Sequence, residues 1–339
     1  MQVRAHVRAV VVKSPEGIPG LRLEEVPAPG SVASLGPSEL RIRVAASGLN
    51  RADLLQSMGK YPAPPGSPPD QLGLEYAGEV VARGAAVRAF NLGDRVMGIV
   101  GGGGMAEEVW VHEREALPVP HAWTWAQAAA VPEAFLTAYD ALILQGELRP
   151  FESVLIHGAT GGVGSAASQI AAAFGARVLG TGRSRAKLET CAQAYGLNEP
   201  IAVDETGQFV AQVRRLTDGR GADLVLELLG GNNLPESIRA AAPRARILLV
   251  GLLVGGRAEL DLSALLQKRI RLQGTVLRSR PAEEKMVLAQ AARRDLIPLF
   301  NTGRLRPVVA VQLPAERFVE AFQWMDRLPV PGKVVLTWP

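Results

Sequence analysis

Apolar and β-branched positions fall in short clusters over roughly the first 130 residues, then settle into a regular alternation of strand-like and helix-like stretches from Phe151 onward. In the first part Arg4–Val12, Leu40–Ala46, Ala77–Val81 and Arg95–Val100 read as strands. Pro and Gly break them apart, most densely in Tyr61-Pro-Ala-Pro-Pro-Gly-Ser-Pro-Pro-Asp70, which predicts an irregular β domain. A small-residue helix over about Ala126–Ala130 leads towards a second at Ala134–Leu144. Beyond Phe151, strands at Val154–His157, Arg177–Gly180, Leu224–Leu228, Arg246–Gly251 and Arg271–Leu277 alternate with helical stretches. That alternation predicts a doubly wound parallel sheet covered on both faces. A helix over about Pro281–Arg293 follows, then an amphipathic helix, Ala315–Met325, with Phe318, Ala321, Phe322 and Met325 on one face. Gly332-Lys333 opens a last strand, Val334–Leu336, in a tail expected to return to the first domain.

The run Val154–Gly164 carries the most chemistry. A strand enters a turn bearing Gly158, Gly161, Gly162 and Gly164, and a small-residue helix, Ser165–Phe174, follows at once. Ala159, Gly161 and Gly164 hold the three positions of G-x-G-x-x-G, with Gly162 and Val163 between the last two. Minimal side chains let the backbone approach a dinucleotide pyrophosphate, and the helix start offers unpaired N–H groups. An acid at the end of the next strand would bind a ribose diol and favour NAD. The chain has Gly180-Thr-Gly-Arg-Ser-Arg-Ala-Lys187 there, with no carboxylate. Ser184 can donate to a 2′-phosphate, and Arg183, Arg185 and Lys187 add positive charge, so NADPH is the expected cofactor.

Composition narrows the class. A chain of 339 residues is long enough for two domains, and 47% hydrophobic with 21% charged residues is ordinary for a globular protein. The net charge of +4 comes with no run of five basic residues, so no nucleic-acid partner is expected. Uncharged runs such as Ile247–Gly256 are too short to span a bilayer, and the N-terminal residues lack the apolar core of a signal peptide. The single cysteine, Cys191, permits neither an internal disulfide nor a multi-cysteine zinc site, and its helical spacing to Leu188 and Tyr195 favours burial. A cytoplasmic enzyme is expected. His157 is read as a hydrogen-bonded structural residue, and His6, His112 and His121 show no ligand spacing.

Ser47-Gly-Leu-Asn-Arg-Ala-Asp53, Gly59-Lys-Tyr-Pro62, Gly73-Leu-Glu-Tyr-Ala-Gly78 and Gly93-Asp-Arg-Val96, with the glycine turn, resemble the medium-chain dehydrogenase/reductase superfamily over essentially the whole chain. In its zinc alcohol dehydrogenases the Asn50 position carries a Cys ligand and the Leu74 position a His ligand. Neither is present, and the cysteine-rich structural zinc lobe is missing, so no metal is expected. Asn50, Asp53, Tyr61 and the Pro-rich loop look like the zeta-crystallin-like quinone oxidoreductases. Ala130-Val-Pro-Glu-Ala-Phe-Leu-Thr-Ala-Tyr139, Gly251-Leu-Leu-Val-Gly-Gly256 and Leu277-Arg-Ser-Arg280 resemble their stress-inducible NADPH-dependent subgroup.

The resemblance implies a GroES-like domain over 1–132 and 278–339 and a Rossmann domain over 133–277, with the active site between them. It implies that Asn50 and Tyr61 face the nicotinamide pocket and that Thr137 lies near its ribose. Ser184 and Lys187 would contact the 2′-phosphate, while Gly251, Leu252 and Leu253, with Leu277 and Ser279, flank the nicotinamide half, and Gly182 and Arg183 complete the cofactor set. A Tyr common on the adenine side of the family corresponds roughly to Val203. A homodimer joined through the Rossmann sheet edge, at Arg271–Leu277, is implied as well.

Without a metal there is no strong Lewis acid, so an acceptor that delocalises the incoming charge suits the chain. The reading is NADPH-dependent reduction of a quinone or enone by hydride transfer. Tyr61 and Asn50 are the candidate donors to the developing oxyanion, and orientation is the main catalytic term. Asp53 is expected to anchor the turn after Asn50, Glu75 to be structural, and Trp123 and Trp125 to lie at the domain junction. The alternatives are an enoyl or alkenal (activated alkene) reductase and a non-enzymatic NADPH-binding structural or RNA-associated protein.

Overall fold

The computed structural model describes residues 5–30, 34–204, 208–325 and 327–339. The expected start of the first strand at Arg4 lies outside the described residues. In chain order, β1 (His6–Val12) and β2 (Leu21–Pro27) form an antiparallel ribbon. Then come β3 (Glu39–Gly48), α1 (Arg51–Ser57), β4 (Glu75–Arg83), β5 (Arg95–Ile99), β6 (Glu108–His112), β7 (Leu117–Pro118), α2 (Trp125–Ala129) and α3 (Pro132–Tyr139). β3 is the hub of this half: β4 and β6 pair with it antiparallel, and Leu40, Ile42, Val44 and Ala46 point one way into the core.

A π-helical stretch, Asp140–Gln145, links α3 to the second half. There β8 (Ser153–Ile156), α4 (Gly162–Ala173), β9 (Arg177–Gly182), α5 (Arg185–Ala194), β10 (Glu199–Ala202), α6 (Val210–Leu216), β11 (Ala222–Glu227), α7 (Asn233–Ala240), β12 (Ala241–Leu249), α8 (Leu262–Lys268) and β13 (Arg271–Gly274) build a six-stranded sheet. All its pairings are parallel, in the order β10-β9-β8-β11-β12-β13. The chain winds outward from β8 in one direction, then returns to β11 and winds the other way. In sheets of this kind a ligand crevice is expected at that reversal, beyond the carboxyl ends of β8 and β11.

The tail then crosses back through α9 (Ala282–Asp295), α10 (Ile297–Asn301), β14 (Val309–Pro314), α11 (Phe318–Met325) and β15 (Lys333–Thr337). β15 pairs antiparallel with β3 and parallel with β14, so the last strand completes the first sheet, as the sequence suggests. The result is an α/β fold of a GroES-like half and a Rossmann half. The two halves share a core: Ala46, Ala77 and Met97 of the first sheet, Ala128–Ala130 around α2, Phe135 and Leu136 of α3, and Val154 and Ile156 of β8 belong to one buried cluster. Trp123 meets Phe300 edge-on at 4.9 Å, and Arg95 lies 4.2 Å over the Trp125 ring, so both tryptophans pack beside this junction. No helix among the described residues is long and apolar enough to cross a membrane.

Some boundaries differ from the sequence reading. β12 starts at Ala241, five residues before the expected Arg246, because its N-terminal part is an alanine-rich run that also suits a helix. β13 stops at Gly274 instead of Leu277: Thr275 turns its hydroxyl to Asp140, and Arg280 clamps the same carboxylate from 2.7 and 2.9 Å. The first turn of the helix expected from Ala315 is a 3-10 turn, with α11 proper beginning at Phe318.

Candidate active site

The turn after β8 divides its glycines by task. Gly158 has φ +64°, a conformation only glycine adopts freely. A Cβ on Gly164 would lie 2.2 Å from the Gly158 carbonyl and 2.7 Å from Ala159 Cα, so close packing of helix on strand requires glycine there. A Cβ on Gly161 would meet nothing nearer than the Gly158 carbonyl at 3.4 Å. Packing therefore does not explain Gly161, whose outer face is open. Gly162 is different again, because a Cβ would sit 3.2 Å from Cγ of Lys333, whose stem arrives from the other half of the molecule. Ala159 fits the first motif position because its methyl is buried against Gly180. Val163 is half-buried beside the turn.

The other expected cofactor residues of the Rossmann half lie past carboxyl ends of its strands. At the end of β9, Gly182 packs on Leu188, and Ser184 caps α5 by accepting the Lys187 N–H at 3.4 Å. Arg183 and Arg185 are exposed, and Arg185 pairs with Glu189 at 3.2 Å. Val203 packs half-buried beneath this corner, its N–H donating to the Gly182 carbonyl at 3.0 Å. Past β12, Gly251 leaves no room for a side chain against the Leu228 carbonyl (2.6 Å from a Cβ), and Leu252 and Leu253 are exposed. Past β13, Leu277 is buried and Ser279 exposed.

From the GroES-like half, Asn50 precedes α1, and Asp53, wholly buried, accepts the Asn50 N–H at 2.8 Å and the Gly73 N–H at 3.0 Å. Asp53 thus anchors two loops, and its burial pushes its carboxyl up to about 6 despite those hydrogen bonds. The Asn50 side chain is fully engaged: Nδ2 donates to Glu75 Oε1 at 2.9 Å, and Oδ1 accepts from Lys333 Nζ at 2.5 Å. Lys333 also pairs directly with Glu75 Oε1, and Glu75 Oε2 accepts the Glu133 N–H at 2.8 Å. Glu75 and Lys333 are both buried, which a lysine in the apolar run Lys-Val-Val-Leu tolerates only because two oxygens receive it.

Across this cluster, Tyr61 is half-buried, and its hydroxyl has no hydrogen-bond partner among the described residues. Burial first and the charge of Glu133 second push the phenol above its ordinary value, while Arg278 opposes them. Arg278 is buried and bridges the halves. It donates to Gly101 O at 2.7 Å, Gln56 Oε1 at 2.6 Å and Tyr61 O at 3.2 Å, and lies 5.1 Å over the Tyr61 ring. Gln56 donates in turn to Pro69 O at 3.2 Å, so Arg278 and Gln56 together hold the Pro-rich loop. On α3, Thr137 Oγ1 is buried with no hydrogen-bond partner. A helical threonine ordinarily bonds a carbonyl one turn back, and this one does not.

These features fit a nicotinamide dinucleotide. They do not fit a zinc ion at the positions where zinc alcohol dehydrogenases hold one. Leu74 is buried hydrocarbon, the Asn50 amide is consumed by Glu75 and Lys333, and the lysine ammonium already neutralises the carboxylate. Among the described residues no group of three His, Cys, Asp or Glu side chains could hold a metal ion. His157, also expected to be structural, is fully buried between Thr181 Oγ1 at 2.8 Å and Ser237 Oγ at 2.9 Å, and burial lowers its pKa against the pull of Glu227. Cys191 is buried, and burial pushes its thiol up to about 11.

Sequence reasoning passed over Lys333, Glu133 and Gln56 and assigned Arg278 no role. The signal for Lys333 was a charge inside an otherwise apolar strand. Glu133 lay hidden in a helix start, where an acid is commonplace.

Residues 162–293 match the family described as "Zinc-binding dehydrogenase", and residues 36–121 match "Alcohol dehydrogenase GroES-like domain". The chain is 32% identical over 310 residues to a quinone oxidoreductase-like protein 2 homolog of Nematostella vectensis, covering 90% of this chain and 83% of that protein. It is 35% identical over 322 residues to a phenolphthiocerol synthesis polyketide synthase type I of Mycobacterium bovis, covering 92% of this chain but only 14% of that much longer protein. Among solved structures, a quinone oxidoreductase of Pseudomonas syringae pv. tomato superposes with a TM-score of 0.82 at 28% identity, covering 98% of this chain and 100% of that one. The enoyl reductase JamJ superposes with a TM-score of 0.83 at 25% identity, covering 98% and 99%.

Proposed function

Because the chain belongs to the medium-chain dehydrogenase/reductase superfamily, we propose that it is a zinc-independent, NADPH-dependent reductase whose acceptor is a quinone. The observation that carries this reading is Lys333, seated between Asn50 and Glu75, with buried Leu74 preceding Glu75 in the chain. A fixed ammonium held by a carboxylate cannot polarise a carbonyl as zinc does, so the acceptor must itself spread the charge that hydride brings. When bound, the reduced nicotinamide supplies that hydride.

The chain's own residues bind and orient. Gly161 and the N–H groups at the start of α4, with Ala159, Gly162, Val163 and Gly164 shaping the turn, receive the pyrophosphate. Ser184, Lys187 and Arg183 receive the 2′-phosphate beyond Gly182. Thr137 offers its unpaired hydroxyl to the ribose. Gly251, Leu252 and Leu253 and the segment Leu277–Ser279 flank the nicotinamide half. Tyr61 keeps its proton at neutral pH and donates a hydrogen bond to the acceptor oxygen. Asn50, with both ends of its amide engaged, positions Lys333 and Glu75 and does not itself donate to the acceptor.

In this proposal residues 133–277 form the cofactor half, and 1–132 with 278–339 the acceptor half. The enzyme is cytoplasmic and dimerises along β13. A second reading, reduction of an activated alkene such as an enoyl thioester, is favoured by the likeness to the polyketide synthase and to the enoyl reductase JamJ. Steady-state NADPH oxidation with a panel of quinones and enoyl thioesters separates the readings. We expect the higher kcat/KM with a quinone. Preference for the thioesters moves the assignment to the second reading, and tight NADPH binding with no acceptor reduced makes the protein a non-enzymatic binder.

A further inference from the structure

We infer that the Glu133 carboxyl, free at the cleft beside Tyr61, is the catalytic acid that delivers the proton completing reduction. This rests on the hydride-transfer reading above and adds the group that reading leaves unnamed.

Geometry puts this carboxyl at the right place and leaves it available. Glu133 stands in the first turn of α3, one helical turn before Thr137, so both side chains lie on the same face. That face carries the buried Thr137 hydroxyl without a partner. The Glu133 backbone is pinned by Glu75, yet its carboxyl makes no hydrogen bond to any described residue and is half-buried rather than sealed. Asn50 and the other charged side chains of the cluster are committed. Asn50 and Lys333 bond each other and Glu75, Asp53 holds two backbone N–H groups, and Arg278 holds Gln56 and two carbonyls. Among the described residues of the cluster, Tyr61, Thr137 and Glu133 have capacity left; Thr137 is an alcohol and the phenol is pushed further up from an already high value, so the carboxyl is the strongest acid of the three.

The charges facing Glu133 come from several elements and do not cancel. Burial is the largest influence, and the carboxylates of Glu75 on β4 and Asp53 on α1 add to it. Lys333 on β15 and Arg278 after β13 act in the opposite sense. Lys333 is already matched by Glu75, so the acid-retaining influences win and hold the carboxyl at about 8. An acid of that strength is mostly protonated at pH 7 and still gives up its proton readily, which suits general acid catalysis.

The step balances. A bound reduced nicotinamide would supply the hydride, one hydrogen with both electrons, that forms the first new bond on the acceptor. The displaced π pair settles on the acceptor oxygen. The Glu133 O–H bond breaks as its proton passes to that oxygen or, in an activated alkene, to the carbon beside the carbonyl. The carboxylate left behind takes a proton from water before the next turnover.

The test uses the full chain with NADPH and compares it with Glu133→Gln and Glu133→Asp. The parent should hold its turnover up to about pH 7 and lose about tenfold per unit above about pH 8, as the donor ionises. Glu133→Gln should lose roughly 100-fold or more in kcat and its alkaline limb, with NADPH affinity by fluorescence titration within about twofold. Glu133→Asp should recover a limb at a different pH. A Glu133→Gln enzyme that keeps turnover and limb overturns the inference, as does a folded Glu133→Asp enzyme with the parent's unaltered limb.

A readout independent of activity is stability. The raised pKa contributes stability that is complete below about pH 4 and is lost as pH rises to about 8, because only the folded state retains the proton over that window. Denaturant unfolding should therefore show the parent losing stability between about pH 5 and about pH 9 relative to Glu133→Gln. Equal pH dependences overturn the proton assignment. If the parent reduces neither quinones nor thioesters while this stability difference is present, the reductase reading fails and Glu133 still holds its proton.

Discussion

The Ser184 hydroxyl caps α5 whatever lies beside it, since it accepts the Lys187 N–H. Replacing it therefore costs about 1 kcal/mol of stability through the helix alone. The 2′-phosphate assignment must be read from cofactor preference rather than absolute affinity. We expect Ser184→Ala with Lys187→Ala to weaken NADPH by tenfold or more, a loss of about 1.4 kcal/mol, while NADH changes by less than about threefold. Equal losses, measured by fluorescence titration with both cofactors, would remove these residues from the phosphate site. At this scale the sequence was informative wherever a residue acts locally. Ser184 before a helix, Asp53 three residues after Asn50 and a buried Cys191 follow from spacing alone. Lys333 and Glu133 did not, because their meaning depends on partners 258 and 58 residues distant that only the folded chain brings together.

In the strand-turn-helix element, Gly161 and Gly164 look equivalent in the motif but differ in space. Gly164→Ala forces a methyl into the Gly158 carbonyl, and we expect it to destabilise the protein by roughly 1–3 kcal/mol in denaturant unfolding. Gly161→Ala meets no such atom, so its stability should stay within about 1 kcal/mol while NADPH affinity falls about tenfold or more. Normal NADPH binding by the Gly161→Ala variant would remove the close-approach argument for this turn. Element recognition succeeded where burial is two-sided, as in β8 and β11, whose centres Val154–Ile156 and Leu224–Leu226 are unbroken apolar runs. β2, β6, β10 and β14 were not singled out. β2 has three charged residues of seven in an exposed ribbon, β6 has only three apolar positions between Glu108 and His112, β10 opens on Glu199 and Pro200, and β14 follows a loop rather than a helix, outside the alternation that revealed its neighbours.

At the scale of the molecule, β13 leaves one edge of the parallel sheet uncovered, and all four of its residues are exposed. Leu262, Leu266, Leu272 and Val276 are exposed on and around the same edge. An open strand rimmed with leucine is a template for pairing, and a second copy of the chain would close it. Light scattering should therefore give twice the chain mass at micromolar concentration. Leu272→Lys with Val276→Lys should return the monomer without unfolding it, and a parent that is already monomeric rules the edge out as an interface. The two-domain architecture was legible because the switch from irregular β to regular alternation is a property of long stretches. The return of the tail to β3 could only be suggested, since nothing local in Val334–Leu336 names its partner strand.

That return has a consequence for how the protein is made. Glu75 receives its cation from a residue 258 positions later, and β3 receives β15 at its edge only then. At synthesis rates of about 5–20 residues per second, a nascent chain carries the half-built cleft for roughly 10–50 seconds, with a carboxylate unmatched and a strand edge bare. The proposed site thus matures by elongation: until the ribosome has delivered Lys333, the glycine turn after β8 can already be folded while the cluster around Glu75 is not.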